Sequence, residues 1–268
     1  MAARPWRVII PSLALAVTVW VWALAGALFM LRWTAFDRPE PTGAPLLPYG
    51  ELRIGIDATY PPFANATADD LYGLEIDLGR AIAGQLNAPV RFVNMGFDGL
   101  YDSLKADQVD LVLSALVIDP SRMGDVRYTL PYFNAGLMLV SAQAVSLSSI
   151  EQLPGKKIAL AFASEADQLA HAWLRRVPPF SILPFERPDD ALDAVRLALA
   201  DAALVDAVSA RLYRRRHADW LTNSSYVTDI LYAGAVRLDR GALHEAVNQA
   251  LASLMSAGTL EQIIDRWL

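Results

Sequence analysis

The 268-residue chain contains no cysteine. That excludes a disulfide framework, a thiolate metal site, a cysteine nucleophile and a lipidated N-terminal cysteine. Histidine is nearly as scarce. His171, His217 and His244 stand far apart and without ligand spacing, so no histidine-built zinc site and no metal is expected. Positive charge is short as well: 23 Lys and Arg against 29 Asp and Glu give a net charge of −6, which offers no electrostatic footprint for nucleic acid. Also missing are a Gly-rich phosphate loop, a Ser-centred elbow and any kinase-like motif. Gly73-Leu-Glu-Ile-Asp77 precedes a predicted helix but lacks the glycine spacing that cradles a pyrophosphate, so no cofactor is expected. What is plentiful is apolar sequence. At 54% hydrophobic and 19% charged the chain is too apolar to be disordered, and its length allows one large or two small domains.

Much of that apolar excess sits at one end. Val8 to Leu31 form 24 residues without a charge. As a helix they would reach ~36 Å, enough to cross a ~30 Å hydrocarbon core with some tilt. Trp6 and Trp33 flank the stretch where interfacial aromatics belong. Residues 1–33 therefore read as a membrane anchor. The alternative is a cleaved signal, with Arg4 and Arg7 as its basic start and Ala23-Leu-Ala25 as its cleavage site. Either puts the remainder outside the cytoplasm, in the periplasm or at the outer face of the cell membrane. Residues 34–50, with Pro39, Pro41, Pro45 and Pro48, read as a stiff linker. Four arginines against Asp37 and Glu40 give the first 50 residues +2, leaving −8 on the remainder of a chain whose net charge is −6.

From Leu52 onward strands and helices alternate. Leu52–Ile56 reads as a strand; Leu78, Ile82 and Leu86 mark one face of a helix starting near Gly73; Val90–Val93 is a second strand. A helix over Gly99–Ala106 and the apolar run Leu111–Leu113 follow, completing the βαβ pattern of a covered α/β sheet. The rhythm restarts with strands at Gly136–Ser141, Lys157–Ala161, Ser181–Pro184 and Ala203–Val205. Helices are predicted at Glu165–Arg176, Pro188–Leu199 and Asp206–Arg216. The last 36 residues hold a strand and two helices separated by Gly258. Two α/β units imply a cleft, where small ligands sit.

Isolated polar residues at predicted strand ends are the candidates for that cleft. Taken singly they mean little. Asp57 reads as a cap, Arg122 as a surface arginine, Asp206 as a helix cap, and Tyr60, Phe63 and Phe97 as core. Their order is more informative: Asp57-Ala-Thr-Tyr-Pro-Pro-Phe63, Gly73-Leu-Glu-Ile-Asp-Leu78, Phe97-Asp-Gly-Leu100, Asp110-Leu-Val-Leu-Ser114 with Arg122, Pro131-Tyr-Phe133, and the closing Gly258-Thr-Leu-Glu-Gln-Ile-Ile-Asp-Arg-Trp267. Over residues 51–268 this resembles the bacterial extracytoplasmic solute-binding proteins of the polar amino-acid class, family 3. The resemblance implies a type II periplasmic-binding-protein clamshell. Residues 51–135 and 231–268 would form lobe 1, and residues 136–230 lobe 2. It further implies that Arg122 grips a ligand carboxylate, Asp206 takes the ammonium, Tyr60 and Phe97 sandwich the side chain, and Asp57, Ser114 and Ser164 complete the polar shell.

The chain departs from the family pattern at Ser114-Ala-Leu-Val117, where Val117 replaces a hydroxyl, and at Ala163-Ser-Glu165, where Glu165 replaces another. A carboxylate facing the ligand carboxylate would repel it. Glu165 must point away, bind a cation or carry a proton. Counted together, the candidate site has surplus negative charge and favours a basic amino acid. The resemblance implies no enzyme, a monomer, and a transporter permease as partner. Two alternatives stand beside this: a ligand-sensing receptor on the same fold, and a cyclohexadienyl or arogenate dehydratase using Glu165 as general acid.

Overall fold

The computed structural model describes residues 45–268, apart from Ser146. The stretch Val8–Leu31, with the anchor or signal reading attached to it, lies outside the described residues, as does most of the linker. Among the described residues no helix is long and apolar enough to cross a membrane.

In chain order the first half carries β1 (Leu52–Ile56), β2 (Thr59–Tyr60), β3 (Ala64–Ala66), β4 (Leu71–Tyr72), α1 (Leu74–Gln85), β5 (Val90–Asn94), α2 (Leu100–Lys105), β6 (Leu111–Val112) and β7 (Val126–Asn134). The middle carries β8 (Leu137–Ala142), β9 (Lys157–Ala161), α3 (Glu165–Trp173), β10 (Ser181–Phe185), α4 (Pro188–Arg196), β11 (Ala202–Asp206), α5 (Ala207–Arg216) and β12 (Thr222–Tyr226). The chain closes with β13 (Leu231–Arg237), α6 (Gly241–Ser256) and α7 (Thr259–Trp267).

These elements build two five-stranded sheets, ordered β5-β1-β6-β13-β7 and β10-β9-β11-β8-β12, and a small sheet β2-β3-β4. β1 is buried throughout and runs parallel to β5 and β6, its one charged residue, Arg53, being paired with Asp110 at 2.9 Å. α1, α6 and α7 supply apolar residues to one face of this sheet (Ile82, Leu251, Ile264). α2 covers the other through Leu100 and Leu104. In the second sheet α3 packs Ala166, Ala170 and Trp173 against Leu160 and Leu204. Each sheet with its helices is one lobe of a mixed α/β, two-lobed molecule.

The chain passes from the first sheet to the second between Asn134 and Leu137 and returns between Tyr226 and Leu231. Asn134 ties the crossings together: its Oδ1 accepts the N–H of Gly136 at 2.9 Å and of Ile230 at 3.0 Å, and its Nδ2 donates to Asp229 at 2.7 Å. Gly136 has no alternative here, since a Cβ would lie 2.0 Å from the Thr228 carbonyl oxygen.

The structure adds strands that the sequence pattern does not announce. β7 contains Pro131, a residue that speaks against a strand, but it lies at the sheet edge, where the missing N–H is tolerated. β12 is Thr-Asn-Ser-Ser-Tyr, a polar run on the opposite edge. Two helices end sooner than expected, at Trp173 rather than Arg176 and at Arg196 rather than Leu199. The second stops where Ala198 turns to a positive φ.

Candidate functional site

Both sheets present strand ends to the space between the lobes. In lobe 1, Asp57 follows β1 and is held by three donors: Thr59 N–H at 3.1 Å, Thr59 Oγ1 at 2.7 Å and Phe97 N–H at 3.1 Å. Its own N–H donates to Ser114 Oγ at 3.0 Å. The carboxylate thereby ties its own loop to that of Phe97, and the backbone N–H adds the strand end at Ser114. Phe63 is buried, as its apolar character suggests, but Tyr60 and Phe97 are not core residues: they are 50% and 49% exposed. Tyr60 stacks on Phe63 at 5.6 Å with the rings 8° from parallel, so one face rests on core and the other is free. Asp57, Tyr60, Phe97 and Ser114 line a cavity of about 330 Å³ together with Thr59, Ala115 and Tyr232.

In lobe 2 a cavity of about 230 Å³ is lined by Ser164, Glu165 and Asp206 over an apolar base that includes Leu137 and Leu204. Ser164 caps α3, its Oγ accepting Asp167 N–H at 3.3 Å and donating to the Ala161 carbonyl at 2.6 Å. Asp206 caps α5 by accepting Ser209 N–H at 2.8 Å and Ser209 Oγ at 2.6 Å. The cap reading of Asp206 and the cavity reading are compatible, since each oxygen keeps a lone pair.

Arg122 lines neither cavity. It ends a 3₁₀ turn opened by Asp119, and its guanidinium lies 4.6 Å from the centre of the Tyr101 ring. Val117 is half exposed and pairs with Tyr232 in an isolated antiparallel bridge. Asp57, Glu165 and Asp206 thus put three carboxylates on the two cavities, and no Lys, Arg or His lines either. Among the described residues no group of His, Asp and Glu is arranged to hold a metal ion.

Sequence reasoning missed Thr59, Ala115 and Tyr232, which carry no charge, and it passed over Glu75. Glu75 is fully buried in the first turn of α1. Its Oε1 accepts the Ala115 N–H at 2.5 Å and the Tyr132 hydroxyl. Burial pushes its carboxyl up to about 7, against the lowering effect of those two hydrogen bonds. A signal was available: Glu75 falls three residues before Leu78, on the same helical face as Leu78 and Ile82. A charge on an apolar stripe has to be accounted for.

Three comparisons bear on this arrangement. The chain is 28% identical over 223 residues to ABC transporter arginine-binding protein 1 of Escherichia coli, covering 81% of this chain and 90% of that one. It is 29% identical over 255 residues to the L-arginine-binding protein of Pseudomonas aeruginosa, covering 91% and 93%. Among solved structures, an ancestral cationic amino acid solute-binding protein aligns with a TM-score of 0.57 at 29% identity, covering 82% of this chain and 96% of the other. Residues 52–268 match one family throughout, and the chain belongs to it: the bacterial extracellular solute-binding proteins, family 3.

Proposed function

We propose that this protein captures a polar amino acid with a basic side chain outside the cytoplasm and delivers it to an ABC transporter. The observation that carries the reading is the charge of the two cavities, three carboxylates without a lining cation. A zwitterion brings one charge of each sign, and a surplus of acid is neutralised best by a ligand with an additional positive charge. The names of the arginine-binding relatives point the same way.

In this reading residues 51–135 with 231–268 form one jaw of a type II clamshell and residues 136–230 the other. Asp206 takes the α-ammonium, and Asp57 faces the cationic end of the side chain. Tyr60 and Phe97 hold the aliphatic part between their exposed ring faces. Ser114 and Ser164 present strand-end polar groups, and Glu165 adds negative charge from the second jaw. Arg122 leaves the Tyr101 ring to meet the carboxylate as the jaws close. Because the charged ends of the ligand are bound from opposite lobes, the ligand stabilises the closed arrangement. Residues 1–33 hold the protein at the outer face of the membrane or direct its export, and the protein acts as a binder, not an enzyme.

The test is thermal unfolding and calorimetry of the full chain against a panel of amino acids. Arginine, lysine or ornithine should raise Tm by several degrees when present at about 100 times its Kd, a stabilisation of about 2.7 kcal/mol. Tighter binding of glutamine or glutamate would refute the basic-ligand reading. Because Glu165 lines the lobe 2 cavity, the same samples are incubated with prephenate and arogenate. Formation of phenylpyruvate or phenylalanine would reassign Glu165 as a general acid and the protein as a dehydratase.

A further inference from the structure

Beneath the lobe 1 cavity a carboxylate is held in place by backbone from several sides. Gly73, at φ +137°, packs so closely on Phe63 that a Cβ would lie 2.3 Å from its carbonyl oxygen. Leu74 N–H donates to the Pro62 carbonyl at 3.0 Å and Glu75 N–H to the Phe63 carbonyl at 2.9 Å. The first turn of α1 is therefore pinned, and with it the Glu75 side chain. Its carboxylate meets the N–H of Ala115, whose φ of +46° is a left-handed conformation that alanine adopts only at a cost. Ala115 and its neighbour Ser114 both line the cavity, and Ser114 also receives the N–H of Asp57. Glu75 thus stands one residue behind the ligand-facing surface and fixes its shape.

The titratable groups facing Glu75 are few. Tyr132 on β7 donates its hydroxyl to it. Tyr232 on β13 feels its charge along with those of Tyr60 and Asp206. On its own helix Asp77 is turned away to Arg266 and Trp267. Among the described residues no cation is paired with Glu75.

We propose that Glu75 is a positioning residue of the ligand cleft whose protonation is coupled to binding. Ionised, it accepts both hydrogen bonds and holds the Ser114–Ala115 turn in its cavity-facing shape, and a cationic ligand above it favours that form. This inference rests on the reading of the cleft as a site for a basic amino acid. Burial brings the Glu75 carboxyl to about 7, so the change of state falls near neutral pH. The sign follows from linkage. A ligand that favours the ionised form expels a proton, so affinity rises as pH rises through 7. Binding restricted to the ionised form gives about a tenfold gain between pH 6 and pH 8.

The experiment measures Kd for L-arginine and L-lysine with the full chain from pH 6 to pH 8, in wild type and Glu75→Gln. In parallel, the amide resonance of Ala115 is followed against pH in the unliganded protein. The expected result is binding that tightens about tenfold in the wild type and stays flat in Glu75→Gln. The Ala115 resonance should titrate with a midpoint near 7 in the wild type alone. A Glu75→Gln protein that keeps the wild-type pH slope, or an Ala115 amide that does not titrate, overturns the proposal. Should no amino acid bind at any pH, the amino-acid reading falls, and the Ala115 titration alone decides for or against Glu75. If Glu75→Gln does not fold, Tyr132→Phe serves instead. It removes a hydrogen bond that lowers the Glu75 pKa and should move the Ala115 midpoint upward; an unmoved midpoint refutes the proposal.

Discussion

In each lobe a strand that reaches the cleft turns through an alanine of positive φ, Ala115 at +46° and Ala163 at +57°. In each a carboxylate from the first turn of a helix accepts that alanine's N–H, Glu75 at 2.5 Å in lobe 1 and Asp167 at 3.0 Å in lobe 2. The surroundings then diverge. Asp167 has the imidazole of His171 at 3.0 Å and keeps 12% of its side-chain surface exposed. Glu75 is enclosed with a tyrosine hydroxyl and no cation. The same device is therefore fully enclosed beside a tyrosine hydroxyl in one lobe, and partly exposed beside an imidazole in the other. What separates them is access to water and the neighbouring side chain, not the hydrogen bond they share.

The cleft-facing carboxylates give the largest test of this asymmetry. Asp206 is bound only through its helix cap, whereas Asp57 is already held by three donors from two loops. Asp206→Asn keeps the cap, since asparagine caps as well as aspartate. It should weaken binding of a basic amino acid about 100-fold, or ~2.7 kcal/mol, with little change in Tm. Asp57→Asn should cost about tenfold, since much of that carboxylate's charge is already met by its donors. Calorimetry on both variants checks the order. Equal losses would mean the two lobes present equivalent charges to the ligand.

The second test compares the braces through stability. The Glu75 carboxyl lies at about 7 in the folded state against 4.5 ordinarily, so the folded protein binds the additional proton between those values. The resulting stabilisation is complete below about 4.5 and is lost as pH rises through 7. Urea unfolding should show Glu75→Gln gaining on the wild type by about 2–3 kcal/mol between pH 5 and pH 8. Asp167 lacks that full enclosure, with 12% of its side chain exposed and His171 at 3.0 Å. A parallel course for wild type and Glu75→Gln would remove the distinction between the lobes.

How much of this could be read from the sequence depended on how local the signal was. The α/β alternation was legible because buried parallel strands such as the one at Leu111–Leu113 are unbroken apolar runs, and because caps and glycines bound the helices. The edge strands β7 and β12 were not, since Pro131 and a run of polar residues conceal pairing that only a neighbouring strand creates. At the site, charged strand-end residues such as Asp57 and Asp206 drew notice by their type. Tyr60 and Phe97 read as core by type alone and entered the candidate site only through the order of motifs along the chain; that they are half exposed is a structural finding. Glu75 needed three segments far apart in sequence, α1, the end of β6 and β7, before its burial had a meaning.

A smaller effect tests the alanines themselves. Glycine at a left-handed position removes a penalty of about 1–2 kcal/mol but costs about 0.5–1 kcal/mol in chain entropy. Ala163→Gly and Ala115→Gly should each stabilise the fold by roughly 0.5 kcal/mol, read as a shift in the urea midpoint. A gain at one position and a loss at the other would show that the two braces bear unequal strain.

The smallest effect concerns a contact between the lobes. Arg211 on α5 of lobe 2 reaches Glu261 at 3.2 Å and Asp265 at 3.6 Å on α7 of lobe 1. The two half-sites surround separate cavities, and the closure proposed above would move α5 relative to α7. An ion pair that favours the present arrangement opposes closure by as much as it is worth, and both acids are more than half exposed, which keeps that value to a few tenths of a kcal/mol. Arg211→Ala should therefore tighten ligand binding about twofold at low salt and leave it unchanged at 1 M salt, where the pair is screened. Weaker binding in Arg211→Ala would mean that the contact persists in the closed form and supports it.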